Sequence, residues 1–293
     1  TADTLGYNTE SYQSDLVGPT TILYEEETTI LSTNGWYNTK SELSMLLDRS
    51  QVIHVDGMTL TGDTIYYDKA QGYGKCIGNI ESIDSTHSMT LYGHKAEMWE
   101  SNNRAYVTDS AMLLDWSDST TYTYMHADSL WTEEIPYQIY TLAERDSILI
   151  DSILTAQQPD TIWSDTTYQQ LRAYRNVRIY RSDLQAVCDS ARYHGRDSII
   201  TLFGMPICWN EENQISADQI DIYIKNEDID YLYGQGNAIA IMQDGTNEFN
   251  QMAGKEMYAY VRDGDVYLVD VRGNAETVFY PQEDDGTYMG VNR

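Results

Sequence analysis

Apolar and polar positions alternate with period two over most of this chain, and the alternation is organised into a phrase that recurs. A glycine or other small residue opens it, apolar residues stand three and five places on, and a turn leads to Asn and a second strand. Gly62-Asp63-Thr64-Ile65-Tyr66-Tyr67-Asp68 is followed by Gly78-Asn79-Ile80, and Gly93-His94-Lys95-Ala96-Glu97-Met98-Trp99 repeats the opening 31 residues later. Met125 to Trp131 keeps the register, with Trp131 lying 32 residues after Trp99. Ala217 to Asn237 and Gly254 to Asn274 carry the phrase toward the C-terminal end. Strict alternation predicts half-buried β-strands. Self-similarity at this period predicts stacked hairpins that share one core.

The pattern divides the chain into three stretches. Residues 1–131 read as N-terminal hairpin repeats, with turns expected at Asn34-Gly35, Asp56-Gly57, Asp84-Ser85-Thr86, Ser101-Asn102-Asn103 and Asp118-Ser119. Residues 132–170 break the register. The run Thr141 to Leu154, followed by Gln157-Gln158-Pro159-Asp160, predicts an irregular insertion or connector, a short helix or a mobile segment. Residues 171–293 resume the hairpins, and Asp263-Gly264 is a strong hairpin turn between Met257–Val261 and Val266–Val269.

Period-two counting assigns faces. Three and five places from each anchor stand Ile65 and Tyr67, Ala96 and Met98, Ala191 and Tyr193, Ile220 and Ile222, Met257 and Ala259. These share one side of the sheet. Ile80, Val177 and Ile179 follow the Asn positions and join them, as does Leu130 in the third repeat. Such a face either seals a sandwich core or lines a groove that takes an apolar ligand, and alternation alone favours the sealed core.

Composition sharpens this picture. The 293 residues include 25 Tyr and 19 Gly but 5 Pro, as suits strands joined by turns. With 18 basic against 46 acidic residues the net charge is −28, which argues against a nucleic-acid partner and keeps exposed sheet edges apart. Cys76, Cys188 and Cys208 form no CxxC pair and read as small buried residues, although Cys188 and Cys208 stand where neighbouring hairpins would let them pair. No apolar run approaches the roughly 18 residues of a membrane-spanning helix. Thr1 does not open a signal peptide, and both termini read as cut points.

Catalytic constellations are absent from the sequence: there is no GxSxG elbow, HExxH, P-loop or GxGxxG before a helix. The five histidines lack metal-ligand spacing, and His94 and His126 occupy equivalent repeat positions. Glu25-Glu26-Glu27 and Glu283-Asp284-Asp285-Gly286 lack the alternating ligands of a calcium loop and read as solvated turns. The expectation is therefore a protein without metal, cofactor or catalytic residue. An enzyme ranks third, since carboxylates suffice in number for a glycosidase pair but their proximity is not legible.

The run Gly62 to Asp68 with Gly78-Asn79-Ile80, and the following Leu91-Tyr92-Gly93-His94-Lys95-Ala96-Glu97-Met98, resembles the OstA-like family, which includes the periplasmic lipopolysaccharide-transport protein LptA. Val187-Cys188-Asp189-Ser190, Ile207-Cys208-Trp209-Asn210-Glu211 and Gly273 to Pro281 resemble the longer members of that group. The resemblance implies an all-β, repeat-built antiparallel β-jellyroll, a V-shaped pair of sheets open at its ends. It also implies a periplasmic bridge between inner and outer membranes whose apolar interior shelters the acyl chains of lipopolysaccharide or another lipid. The expected lipid-lining set is then Ile65, Tyr67, Ile80, Met98, Leu130, Val177, Ile179, Ile220, Ile222 and Met257. Other β-jellyroll proteins, or a second copy, would join end to end at strands near Thr20–Leu31 and Val266–Tyr280. The net charge departs from this picture, because phosphorylated headgroups are repelled unless they stay outside or are screened. The alternative is a structural or adhesive β-repeat scaffold with a sealed core.

Overall fold

The computed structural model describes residues 1–119, 121–142, 161–210, 213–226, 228–283 and 287–293. The chain is all-β, and its described residues form one 19-stranded antiparallel sheet in which successive strands pair from β1 to β12. From one edge the order runs β1 (Ala2–Asn8), β2 (Gln13–Tyr24), β3 (Thr28–Asn38), β4 (Leu43–His54), β5 (Met58–Asp68) and β6 (Tyr73–Asp84). It continues through β7 (Met89–Trp99), β8 (Arg104–Asp115), β9 (Thr123–Leu142), β10 (Thr161–Tyr180) and β11 (Gln185–His194). Past β11 the single long strand gives way to two short ones. β12 (Ile199–Phe203) and β13 (Ile207–Asn210) pair with opposite halves of β11, and β15 (Gln219–Lys225) and β14 (Asn213–Ser216) extend those halves. β16 (Asp228–Gln243) and β17 (Phe249–Arg262) span both halves again, and β18 (Asp265–Arg272) and β19 (Glu276–Val278) finish the sheet on β17.

The Gly-Asn step of the repeated phrase is a bend inside a strand, where a turn between strands is the sequence expectation. Between β5 and β6 the ladder runs Thr64↔Ile77 and resumes at Thr61↔Glu81, so two residues oppose three. The extra residue is a bulge that turns both strands. Gly78 and Asn79 sit there with φ of 81° and 44°, a left-handed conformation that Gly adopts freely and Asn tolerates. A Cβ on Gly78 would also stand 2.5 Å from Asp63 Oδ2. Arg175-Asn176 and Gly236-Asn237 repeat the positive φ inside later strands, and Gly273-Asn274 does so between β18 and β19. The predicted turn at Asn34-Gly35 is likewise internal to β3, whereas Asp56-Gly57, residues 85–88, 101–103 and Asp263-Gly264 do connect strands. Bent within the long strands and split between the short ones β12–β15, the sheet doubles on itself into the two facing layers of a β-jellyroll.

A correction concerns 132–170. Residues 132–142 and 161–170 continue β9 and β10 as a long hairpin in unbroken register from Thr161↔Leu142 to Tyr174↔Ser129. Residues 143–160, the centre of the expected insertion, lie outside the described residues, as do Asp284, Asp285 and Gly286 of the acidic turn.

Inside the fold one row of facing residues crosses the sheet. It runs Leu16, Gly35, Leu46, Ile65, Cys76, Ala96, Val107, Leu130, Ala173, Ala191, Leu202, Ile220, Gly234, Met257 and Val271, each opposite the next. Across the bend a second row faces it: Ile22, Ile30, Val52, Leu60, Ser82, Leu91, Leu113, Met125, Ile179, Ala186, Cys208, Ile215, Ala240 and Met252. Burying such rows from water holds the layers together, at roughly 25 cal/mol per Å² of apolar surface.

Candidate functional site

The two inner rows meet differently at the two ends of the molecule. From β9 to β17 the layers close. Leu130, Ala173, Ala191, Leu202, Ile220 and Met257 on one layer, and Met125, Ile179, Ala186, Cys208, Ile215 and Ala240 on the other, are none more than 6% exposed. Alanines let the layers approach, and a third inward position adds Ile222, Leu232 and Ala259, also buried. The void bordered by Leu184, Cys208, Ile215 and Leu232 measures about 20 Å³, room for one water.

From β2 to β6 the interior is less deeply buried. Leu16, Leu46, Ile65, Cys76 and Ile80 form a separate small core against which Ile22, Ile30, Val52 and Leu60 of the facing layer pack while staying half-buried, and Leu91 and Leu113 of β7 and β8, also half-buried, pack against the larger core. The third inward position here is Ser14, Tyr37, Ser44, Tyr67, Gly74, Met98 and Ala105 in register, with no branched aliphatic residue to close over the interior. This half-buried apolar strip, with a mixed rim, is the candidate trough. At that rim Met98 lies across Gly74, whose added Cβ would meet Met98 Cγ at 2.8 Å and Tyr67 Cδ2 at 3.9 Å. The Tyr67 hydroxyl donates to Glu100 Oε1 at 2.7 Å. Partial burial, then the Glu100 carboxylate, pushes its pKa above the usual phenol range, so the group stays a neutral donor.

All ten residues of the expected lipid set face inward, but they do not share one environment. Ile65 and Ile80 lie at the base of the trough, and Tyr67 and Met98 at its rim, Met98 being 38% exposed. Leu130, Val177, Ile179, Ile220, Ile222 and Met257 are walled into the closed half. Sequence reasoning missed the facing wall of the trough, Ile22, Ile30, Val52, Leu60, Leu91 and Leu113. Their signal was the same alternation counted on the far side of each bend.

Also missed was what holds the bends. Asn79 Nδ2 donates to Asp63 Oδ2 at 2.6 Å, Asn176 to Asp128 at 3.0 Å, and Asn237 to both carboxylate oxygens of Asp218 at 3.0 and 3.2 Å. Each Asp follows the small anchor residue of the phrase, at Gly62-Asp63, Ala127-Asp128 and Ala217-Asp218. The recurring Asp and Asn are two halves of one clasp across neighbouring strands. The three cysteines are free thiols. Burial raises Cys76 to about 11 and Cys188 to about 12, and lifts Cys208 well above the normal thiol range.

The ends of the sheet also differ. At the N-terminal end the edge strand is β1, which with Thr1 covers β2 from Gln13 to Thr21 and leaves Ile22–Tyr24 beyond it, a correction to the expected edge at Thr20–Leu31. Leu5, Val17 and Leu23 are exposed around it. At the C-terminal end the chain folds back, with isolated bridges at Phe279↔Asn292 and Gln282↔Tyr288. Tyr280 N donates to Asn250 Oδ1 at 2.9 Å and the Tyr288 hydroxyl to Asp244 O at 3.1 Å, packing this tail beside the β16–β17 connection.

No protein-family model and no curated protein matches this chain. Among solved structures it is similar to LptH of Pseudomonas aeruginosa, described as the LptA-homologous periplasmic component of the lipopolysaccharide transport device. The superposition covers 77% of this chain and 96% of that one at 10% identity, with a TM-score of 0.24.

Proposed function

We propose that this chain is a non-enzymatic lipid carrier of the cell envelope that shelters acyl chains in the trough of its β2–β8 half. The observation that supports the reading is the half-buried row Ile22, Ile30, Val52, Leu60, Leu91 and Leu113 facing Leu46, Ile65 and Cys76 in a molecule whose other half buries the same rows from β9 to β16. A lipid needs no chemistry to be held there, since each buried methylene contributes about 0.8 kcal/mol. The acyl path in this proposal runs along Ile65, Tyr67 and Met98 and the facing wall. It stops before Leu130, Ile220 and Ile222, which support the trough from the sealed half.

The resemblance of the Gly62–Asp68 and Gly93–Trp99 phrases to OstA-like proteins makes lipopolysaccharide the lipid of choice and the periplasm the compartment. With a net charge of −28, phosphorylated headgroups would remain outside the trough, screened by divalent cations. The uncovered β1 edge offers backbone donors and acceptors to a further β-jellyroll, by strand addition.

The test is site-specific photo-crosslinking in the presence of lipopolysaccharide. A crosslinker at Leu60 or Met98 is expected to label lipid and one at Ile222 to label none. Labelling at none of the three, in protein shown by circular dichroism to be folded, would overturn the carrier and leave a scaffold whose trough is merely a loosely packed end.

A further inference from the structure

Polar ties cross from the tips of one layer to the tips of the other, and they follow one rule. Arg181, just past β10, reaches Asp228 at the start of β16 at 3.5 Å. Asn210, at the end of β13, donates through Nδ2 to Gly264 O in the β17–β18 turn at 2.8 Å. Lys69, just past β5, pairs with Glu25 Oε1 in the β2–β3 turn at 2.9 Å, and its ammonium also donates to the Tyr24 hydroxyl. Each tie leaves the layer of one inner row for the layer of the other. Each also joins turns three places apart in the order of pairing: β2 to β5 through β3 and β4, β10 to β15 through β11 and β12, β13 to β17 through β14 and β16. A twisted sheet folded onto itself crosses its own strands at an angle, so a turn faces one further along. The shared offset makes Lys69 the counterpart, in the first half, of Arg181 and Asn210 in the second.

The equivalence stops at the chemistry. Arg181 is 17% exposed and is also held by Asp183 at 2.8 Å, and Asn210 gives a second hydrogen bond to Asp183 O at 2.6 Å, beside the buried Leu184 and Leu232. Those ties are built into the closed core. Lys69 is 38% exposed and Glu25 62%. An exposed ion pair on a flexible side chain is screened by salt and holds weakly. The Tyr24 ring lies 4.9 Å from the Lys69 ammonium. Tyr24 follows Ile22 on the inner face of its strand as Tyr67 follows Ile65 on the opposite layer. Lys69 therefore spans the mouth of the trough beyond these two tyrosines, through contacts that water and salt can replace.

From this we infer that Lys69 is a releasable latch on the trough: closed on Glu25 and Tyr24 it ties the two layers, and its release lets them part to admit an acyl chain. The gating role rests on the carrier reading, whereas the tie itself does not. Release frees an ammonium, a carboxylate and a phenol at the surface, where water solvates each of them, so the open state leaves no buried charge unpaired. Breaking the Arg181 tie would instead take a partner from a mostly covered guanidinium. That difference confines the parting of the layers to the β2–β6 end, and it makes ionic strength the variable that opens the latch.

Two measurements on the full chain test the latch and the gate separately, each variant first being shown folded by circular dichroism. Pulsed electron resonance on spin labels at Glu26→Cys and Gln71→Cys, exposed positions in the two turns that Lys69 joins, reads the tie with no lipid present. At low salt this parent and its Lys69→Arg form are expected to show one short, narrow separation. Lys69→Gln should show a longer and broader one, as should the parent in about 1 M NaCl, where the screening length falls to about 3 Å. The same separation in Lys69→Gln as in the parent overturns the latch, whatever lipid does. Gating is read as the rate of uptake of a fluorescent monoacylglycerol, uncharged so that Lys69 does not act by attraction. Lys69→Gln should take it up about threefold faster than the unsubstituted chain, and Lys75→Gln, on the outer face beside buried Cys76, at the same rate. A Glu25→Cys, Lys69→Cys variant joined by a short cleavable bismaleimide should take up none until the linker is cut. Unchanged uptake on joining overturns the gate and leaves the carrier standing. Uptake by no form, with the separation still set by Lys69, overturns carrier and gate together.

Discussion

The β2–β8 half and the β9–β17 half are built from the same phrase on the same bent ladder, yet the second buries its inner rows more deeply than the first. The first two inward positions are apolar in both, as Ile65 with Leu60 and Ile220 with Ile215 illustrate. The third separates them. In the closed half it ends in Ile222, Leu232 and Ala259, all buried, after the half-buried Thr132, Leu171, Tyr193 and Ile200 of β9–β12; in the other half it is Tyr37, Ser44, Tyr67 and Met98, none of them buried. Aliphatic residues at the mouth draw the layers together, because closing over them removes apolar surface from water. Residues with hydroxyls to satisfy, such as Tyr67 on Glu100, favour a wet rim. Alanines at 173, 186, 191 and 240 then allow close approach where the mouth is shut.

The largest expected contrast comes from truncating equivalent inward residues. Ile220→Ala removes packing from a fully sealed site and should cost about 2–5 kcal/mol in urea denaturation. Leu60→Ala, on the half-buried trough wall, should cost about 1 kcal/mol. Equal losses would mean that the trough closes in solution and that the contrast between halves is false.

Bends come next, since both halves rely on them. Gly78→Ala forces an L-residue into positive φ and toward Asp63, and should destabilise by about 1–3 kcal/mol. Asn79→Ala removes the clasp hydrogen bond alone and should cost about 1 kcal/mol. The ratio of the two, read by thermal or urea unfolding, separates backbone strain from the clasp.

Thiol chemistry probes burial in each half separately. Cys76 belongs to the small N-terminal core and Cys188 and Cys208 to the closed half, and raised pKa values keep all three protonated at pH 8. Native protein should therefore resist a thiolate-selective disulfide reagent and react fully once unfolded. The sign for stability follows. A folded thiol pKa of about 11 or 12 lies above the unfolded value of about 8.5, so this contribution is complete below that value and is lost as pH rises toward the folded one. Unfolding midpoints should fall between pH 8 and pH 11, and less so in a Cys76→Ala, Cys188→Ala variant. Fast labelling of native Cys76 would show the N-terminal core to be open as well.

The smallest effect is expected at the rim. Tyr67→Phe deletes one partly exposed hydrogen bond, and the loss in urea unfolding should be about 0.5 kcal/mol. A loss several times larger would identify Tyr67 as part of a closed lid.

Much of this molecule follows from residue order. Period-two alternation in runs such as Thr64–Asp68 and Ile220–Ile224 dictates strands, because only an extended chain puts every second residue on one face. The spacing of those runs dictates neighbouring hairpins, and the inward side chains can be named by counting. The doubling of the sheet was not legible. Gly78-Asn79 has the chemistry of a hairpin turn, and its use as a bend depends on Asp63 and on the continuing ladder beyond it, which are contacts between strands. The β9–β10 hairpin escaped for a related reason, since Thr132–Leu142 shows little alternation by itself and is held extended by pairing with Thr161–Leu171. Whether an inward row is core or trough was decided by tertiary structure alone. Ile65 and Ile220 occupy the same place in the phrase, and what differs is whether the opposite layer comes near enough to cover the residues above them.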